Sequence, residues 1–237
     1  MTKGSSIVVL VSGGLDSDVL LAEMTLKFRR VIPVYVRQGL AWENVELYWL
    51  KRFLRWLSSP RKRGSMDSRF RGNDGIEALC TLKLPMDDVY RTHWSLGKKP
   101  VPGARTADAA VYLPGRNLIL TVKAGVLCAT EEIPNMALGS LGHNPFPDAS
   151  PRFFKTWAAA MSLGLRAPIR ILAPYRALSK SDVIKRGKSL PLHLSFSCLQ
   201  PRGKSHCGSC NKCAERQRAF RRAGVPDKTI YARSAKN

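Results

Sequence analysis

Apolar residues along this chain alternate between two periods. Ile7 to Val11 is an unbroken aliphatic run, the pattern of a strand buried on both faces, and after two glycines Leu15, Val19, Leu20 and Met24 recur at helical spacing. Val31 to Val36 repeats the strand signal. Trp42 to Leu57 predicts an amphipathic helix with Val45, Tyr48, Trp49, Phe53 and Trp56 on its buried side. Further on, the pattern predicts a strand over Ala78 to Leu84, a helix over Asn117 to Ala129, a strand into a turn over Asn135 to Leu141 and a helix over Arg152 to Leu163. Strands separated by single helices predict an α/β fold with a doubly wound, mostly parallel sheet covered on both faces. Ligands of such sheets sit beyond the carboxyl ends of the strands.

One stretch breaks the rhythm. Ser58 to Gly75, SSPRKRGSMDSRFRGNDG, is almost wholly charged, small or turn-forming, and it exceeds the usual length of a helix-to-strand connection. It reads as a polar insertion tolerated at the surface. The expected organisation is an α/β domain over residues 1–190, carrying this insertion at 58–75, and a small C-terminal module over 191–237.

Composition narrows the function classes. With 237 residues and 44% hydrophobic content the chain can bury a full core. No apolar run approaches the ~20 residues of a membrane span, and the start lacks a secretory leader pattern, so a cytoplasmic protein with no membrane partner is expected. Lys and Arg number 39 against 17 Asp and Glu, a net charge of +22 that attracts polyanions at long range. Charge alone leaves a solvated surface and a nucleic-acid face open. A nucleic-acid partner is not favoured, because the chemistry-bearing motifs point elsewhere.

The first of these motifs is SGGLDS, Ser12 to Ser17, set between the first strand and the first helix. Gly13 and Gly14 lack a Cβ, so the backbone can turn sharply and approach a ligand, and the free N–H groups of the following helix make that spot an anion site. Ser12 and Ser17 add hydroxyl donors for phosphate oxygens. Asp16 beside a polyphosphate makes sense as a ligand of Mg²⁺. No Gly-Lys-Ser/Thr follows, so the loop is not a Walker A. The second motif is SCLQPRGKSHCGSCNKC, Ser197 to Cys213, in which Cys198, Cys207, Cys210 and Cys213 can close one tetrahedral site. Four thiolates leave no open position for water, the mark of structural zinc; an iron–sulfur cluster takes the same ligands. His206 would be a fifth ligand and reads as loop filler. Cys80 and Cys128 lie alone in apolar stretches and read as packing.

SGGLDS resembles the pyrophosphate loop of the PP-loop ATP pyrophosphatases, which adenylate a substrate oxygen. Taken with YLPGRN (Tyr112 to Asn117), LSKSDVIKRG (Leu178 to Gly187) and the terminal HCGSCNKCAERQRAF and AGVPDKTIY, the chain resembles the 7-cyano-7-deazaguanine synthase family along nearly its whole length. The resemblance implies a Rossmann-like fold of the adenine nucleotide alpha-hydrolase type with a C-terminal zinc module. It implies an ATP-dependent ligase that makes a deazapurine nitrile from the carboxylate and ammonia, with Mg²⁺ and Zn²⁺ as cofactors, in a homodimer. By that resemblance Leu10, Val11, Ser12, Gly13, Gly14, Leu15, Asp16 and Ser17 form the ATP loop, and Cys198, Cys207, Cys210 and Cys213 bind zinc. Lys180 and Arg116 are the candidate cations beside Asp16. The substrate segment of the family, Tyr-Pro-Asp-Cys-Arg, stands here as Phe146-Pro147-Asp148-Ala149-Ser150. Only the Pro-Asp pair carries over, leaving Asp148 and Phe146 as candidate substrate contacts, with Trp94 and Phe196 as further stacking candidates. A PP-loop enzyme that modifies or thiolates tRNA, or acts on another small carboxylate, is the alternative.

Overall fold

The computed structural model describes residues 4–59, 75–142 and 144–232. The stretch 60–74 of the expected insertion lies outside the described residues. Strand β1 (Gly4–Leu10) leads through helix α1 (Leu15–Lys27) to β2 (Phe28–Arg37), then α2 (Glu43–Ser58), β3 (Cys80–Lys83) and the one-turn α3 (Asp87–Tyr90). The second half runs through α4 (Arg116–Thr130), β4 (Asn135–Ala137), α5 (Pro151–Leu165), β5 (Arg170–Leu172), α6 (Lys180–Arg186) and α7 (Asn211–Ala223). All five strands are parallel, in the order β3-β2-β1-β4-β5. The chain moves outward from β1 to β3 and then returns to β4 on the other side of β1, so the carboxyl ends of β1 and β4 flank a topological switch point.

Period-2 alternation divides the core. Ile7, Val9 and Val11 of the first strand and its exit, with Val31 and Tyr35 of β2, pack against Val19, Leu50, Val183 and Phe220 of α1, α2, α6 and α7. Val8, Leu10, Ile32, Val34 and Val36 face the other way, onto Ala124 and Cys128 of α4 and Phe154 and Met161 of α5. Among the described residues no helix is long and apolar enough to cross a membrane.

The expected elements are present with shifted edges. β4 is confined to Asn135–Ala137 at the head of the expected strand-and-turn segment, and β3 starts at Cys80 rather than at Ala78. Pro33 explains the late start. Val31 donates to Gly75 and accepts from Glu77, so position 33, of the same parity, also points toward β3 and has no N–H to offer residues 77–79. On α2 the buried stripe is Glu43, Glu46, Leu47, Leu50, Phe53 and Leu57, rotated from the aromatic face expected. Tyr48 and Trp49 stay half-buried under cations: Lys204 Nζ lies 4.3 Å from the Tyr48 ring and Arg52 5.6 Å from that of Trp49. β5 has only three residues, Arg170–Leu172, too short for a periodic signal.

The C-terminal segment is fastened by a buried cation. Arg216 on α7 is 1% exposed. Its Nε donates to Thr229 Oγ1 (2.8 Å), one terminal nitrogen to Ser195 Oγ (2.9 Å) and the other to the Leu192 carbonyl (2.8 Å). Burial lowers its pKa, and the nearby Tyr231, Asp227 and Asp18 oppose that shift. Arg216→Leu strips the buried Ser195 hydroxyl and Leu192 carbonyl, and the half-buried Thr229 and Ser197 hydroxyls, of their donor and should lower the unfolding free energy by about 3–5 kcal/mol, read as a fall in the urea midpoint. An unchanged midpoint would show that Arg216 does not fasten the module.

Candidate functional site

β1 delivers the SGGLDS loop to the switch point, and local contacts explain its residue choice. Gly13 adopts φ +70°, and a Cβ there would lie 3.1 Å from both the Leu50 Cβ and the Glu46 carbonyl oxygen of α2. Ser17 Oγ donates to the Gly14 carbonyl (3.0 Å) and accepts the Ser12 N–H (3.2 Å), while Ser12 Oγ accepts the Gly14 N–H (3.3 Å). The turn is therefore closed by its own hydroxyls. No side chain caps the first turn of α1, which leaves its N–H groups available to an anion. Across the gap Gly139 approaches so closely that a Cβ would stand 3.1 Å from the Asp16 carbonyl carbon.

Two cavities meet at this loop. The first, about 260 Å³, is lined among others by Ser12, Ser17, Tyr35, Glu46, Arg116 and Ser140. The second, about 270 Å³, is walled by Ser179, Lys180, Lys212, Glu215, Arg218 and Arg222. Asp16, Asn144 and Phe146 belong to both. The structure thus brings together the sequence candidates Asp16, Lys180, Arg116, Phe146 and Asp148 with the loop. Leu10 and Val11 line the first cavity; Gly13 and Leu15 support the loop from behind.

A chain of opposite charges runs along the second cavity. Lys180 Nζ lies 3.0 Å from Glu215 Oε1 and 3.3 Å from Asp16 Oδ2, and Lys212 Nζ lies 2.8 Å from Glu215 Oε2. Burial would raise Glu215, but Lys180 and Lys212 bring it down to about 2. Asp16 shares Lys180 at the longer distance, and its burial outweighs that partner, leaving its pKa raised. Lys180 keeps its proton, because the two carboxylates overcome the effect of burial. Ser179 caps α6 in a reciprocal box with Asp182, which fixes the direction in which Lys180 leaves the helix. Asp16 Oδ1 is buried and accepts no hydrogen bond. A hard oxygen beside an anion cradle is the ligand type Mg²⁺ takes.

The other candidates divide. Phe146 lies 4.9 Å from the Tyr112 ring and presents an aromatic wall to both cavities. Asp148 lines the first cavity, but its Oδ2 accepts the Asn117 N–H (2.8 Å) and its Oδ1 the Asn117 side-chain amide (3.3 Å), holding the start of α4. Trp94 stacks on Trp42 at 5.7 Å, and Phe196 packs on His206 at 4.6 Å; both belong to the apolar cluster around the cysteines. His206 is not loop filler. It is buried, its Nε2 accepts the Ser197 N–H (3.1 Å), and burial holds its pKa down to about 3. Cys128 is buried and Cys80 half-buried in the sheet core, as packing residues.

Glu46, Tyr35, Glu215 and Lys212 were not singled out in the sequence. Glu46 had a signal: it precedes Leu50 by four and Phe53 by seven, which sets an acid on an apolar stripe. Glu215 had none, since a charged residue on a basic helix reads as surface.

The four cysteines converge. All four sulfurs lie within 4.8 Å of one another, with Cys207 to Cys213 at 3.8 Å and Cys198 to Cys210 at 4.0 Å. A tetrahedron with metal–sulfur bonds of about 2.3 Å has edges of about 3.8 Å, so one ion fits between them. A four-iron cluster spreads its thiolates over separate irons and needs more room. The backbone N–H groups of Leu199, Gln200, Cys207, Ser209 and Cys210 point at the sulfurs at 3.2–3.5 Å, stabilising the thiolate form.

The family model described as queuosine biosynthesis protein QueC matches residues 6–224. A 7-cyano-7-deazaguanine synthase of Methanococcus maripaludis is 34% identical, over 94% of this chain and 97% of its own length. One from Leptospira interrogans is 28% identical, over 96% of this chain and 91% of its own. Among solved structures, the U34-tRNA thiolase NcsA from Methanococcus maripaludis with its 4Fe-4S cluster is similar in fold. Its TM-score is 0.50 at 13% identity, over 100% of this chain and 79% of that one.

The packing of α7 against the metal site gives a direct test. Cys210→Ser should abolish binding of one equivalent of metal and lower stability by several kcal/mol, because the ion's binding energy is folding energy here. Metal analysis that finds neither zinc nor iron in the unaltered protein would refute the metal centre.

Proposed function

The chain belongs to the queuosine biosynthesis protein QueC family, and from that membership we propose an ATP-dependent carbon–nitrogen ligase that converts 7-carboxy-7-deazaguanine and ammonia to 7-cyano-7-deazaguanine. The single observation that carries this reading is the meeting of the SGGLDS cradle, Lys180 and Arg116 around two cavities that share Asp16.

Oxide is too poor a leaving group for ammonia to displace from a carboxylate. The substrate carboxylate oxygen therefore attacks the α-phosphorus of ATP, and pyrophosphate leaves. Ammonia displaces AMP to give the amide. The amide oxygen then attacks a second ATP, and loss of AMP and a proton leaves the nitrile. Both adenylations need the same service, namely an α-phosphate held in line and its growing charge neutralised. Ser12, Ser17 and the first-turn N–H groups of α1 bind the phosphates in this scheme. Lys180, permanently protonated, supplies a cation on one side and Arg116 on the other. Asp16 is the proposed holder of Mg²⁺, which when bound screens the phosphate charge. Phe146 with Tyr112 forms the face for the planar base, and Asp148 acts by fixing the helix start that carries Arg116. We assign zinc to the four cysteines and a homodimer to the assembly, on family grounds.

Incubation with ATP, ammonia and 7-carboxy-7-deazaguanine should yield first the amide and then the nitrile by mass spectrometry. Asp16→Asn should reduce ATP turnover ~100-fold or more in a protein that still folds cooperatively, with Lys180 held by Glu215. Absence of both products at high substrate concentration, with ATP still bound, would refute the ligase reading.

A further inference from the structure

The first cavity holds an acid that the adenylation scheme does not use. Glu46 is 7% exposed, lines the cavity and sits on the stripe of α2 that packs against the loop. Tyr35 on β2 donates its phenol to Glu46 Oε2 at 2.7 Å. Burial pushes the Tyr35 phenol well above its ordinary value, so it stays a donor. Around the carboxyl stand Tyr35 from β2, Trp42 and Glu43 from the start of α2, Asp18 from α1 and Arg116 from α4. Arg116 makes no ion pair with Glu46 within 4 Å, and Arg116 Nε is buried without an acceptor. The cavity therefore carries an acid on the α2 wall and an unsatisfied cation on the α4 wall.

That polarity matches one ligand of the proposed reaction. A carboxylated deazaguanine presents N1–H and 2-amino N–H donors on one edge and an anion elsewhere on the ring system. Adenosine has no anion on its base. Asp148 has already committed both oxygens to Asn117. We propose that Glu46 is the specificity-determining acceptor for the guanine-type N–H edge of the substrate, with Arg116 facing its carboxylate. This rests on the ligase reading.

The protonation state supports the geometry. Burial, opposed by Arg116 and by the Tyr35 hydrogen bond, raises Glu46 to about 7. Two N–H donors bind the ionised form, so affinity for the substrate should increase as pH rises through that value and level off above it. An adenine edge, with a ring-nitrogen acceptor beside its amino group, would need the protonated form and show the reverse trend.

The test compares 7-carboxy-7-deazaguanine with its analogue lacking the 2-amino group, in the whole enzyme with ATP and ammonia. The unaltered enzyme should prefer the amino compound by about tenfold or more in kcat/KM, the value of a lost charge-assisted hydrogen bond. Glu46→Gln keeps the shape and removes the charge. It should bring the two compounds within about twofold of each other, raise KM for the deazapurine and leave KM for ATP unchanged. Binding of the deazapurine to the unaltered protein, followed across pH 6 to 8, tests the same point without any variant, should Glu46→Gln fail to fold. Retained discrimination in Glu46→Gln, a rise in KM for ATP instead, or substrate binding that weakens with rising pH would each overturn the assignment while leaving the ligase reading intact. If the unaltered enzyme converts neither compound, the ligase reading fails and this assignment with it.

Discussion

Lys180 joins three elements that the sequence keeps far apart. Its ammonium stands between Asp16 of α1 and Glu215 of α7, at 3.3 and 3.0 Å, while the cation itself starts α6. In this partly buried setting a lone ammonium or a lone carboxylate would carry a desolvation cost of several kcal/mol, so each element depends on the others being in place. Lys212 completes the set by holding the second oxygen of Glu215. The SGGLDS loop, the Ser-Lys helix start and the cysteine-bearing segment are thus one electrostatic unit, although the loop lies more than 160 residues from the other two in the chain.

The metal segment supports that unit mechanically. Cys213, Glu215 and Arg216 occupy the first turns of one helix, so the group that closes the metal site, the group that fixes Lys180 and the group that ties the C-terminus to Ser195 and Leu192 move together. The Phe196 N–H, two residues before Cys198, donates to the Gly13 carbonyl at 2.6 Å. A closed four-thiolate site with no vacancy for water has no chemistry of its own to offer. What it supplies is position, on both sides of the loop.

Legibility followed periodicity and local chemistry. β1, α1 and the loop between them could be read because strand, glycine pair and helix start occur within one short window, and the cysteines because their spacing permits one geometry. The cations Lys180 and Arg116 were reachable only through motif resemblance; what makes Lys180 a partner of Asp16 is tertiary. Glu215 was invisible for the same reason, and Glu46 showed only as an acid on an apolar stripe: an acid acquires its character from what the fold sets around it, here two lysines for Glu215 and Tyr35 and Arg116 for Glu46. The buried face of α2 departs from the aromatic one expected because aromatic rings can satisfy themselves under Lys204 and Arg52 at the surface, while Leu47, Leu50 and Leu57 go inward. β5 escaped because three residues cannot display a period.

In the proposed reaction a single phosphate-handling loop activates the same carbon twice, each time by attaching its oxygen to AMP. Isotope transfer measures this directly. With both carboxylate oxygens of the deazapurine labelled as oxygen-18, each adenylation must pass one labelled oxygen to AMP. Two AMP should appear for every nitrile formed, each carrying a single label, with none retained in the product. Unlabelled AMP, or label appearing in inorganic phosphate, would contradict the double adenylation.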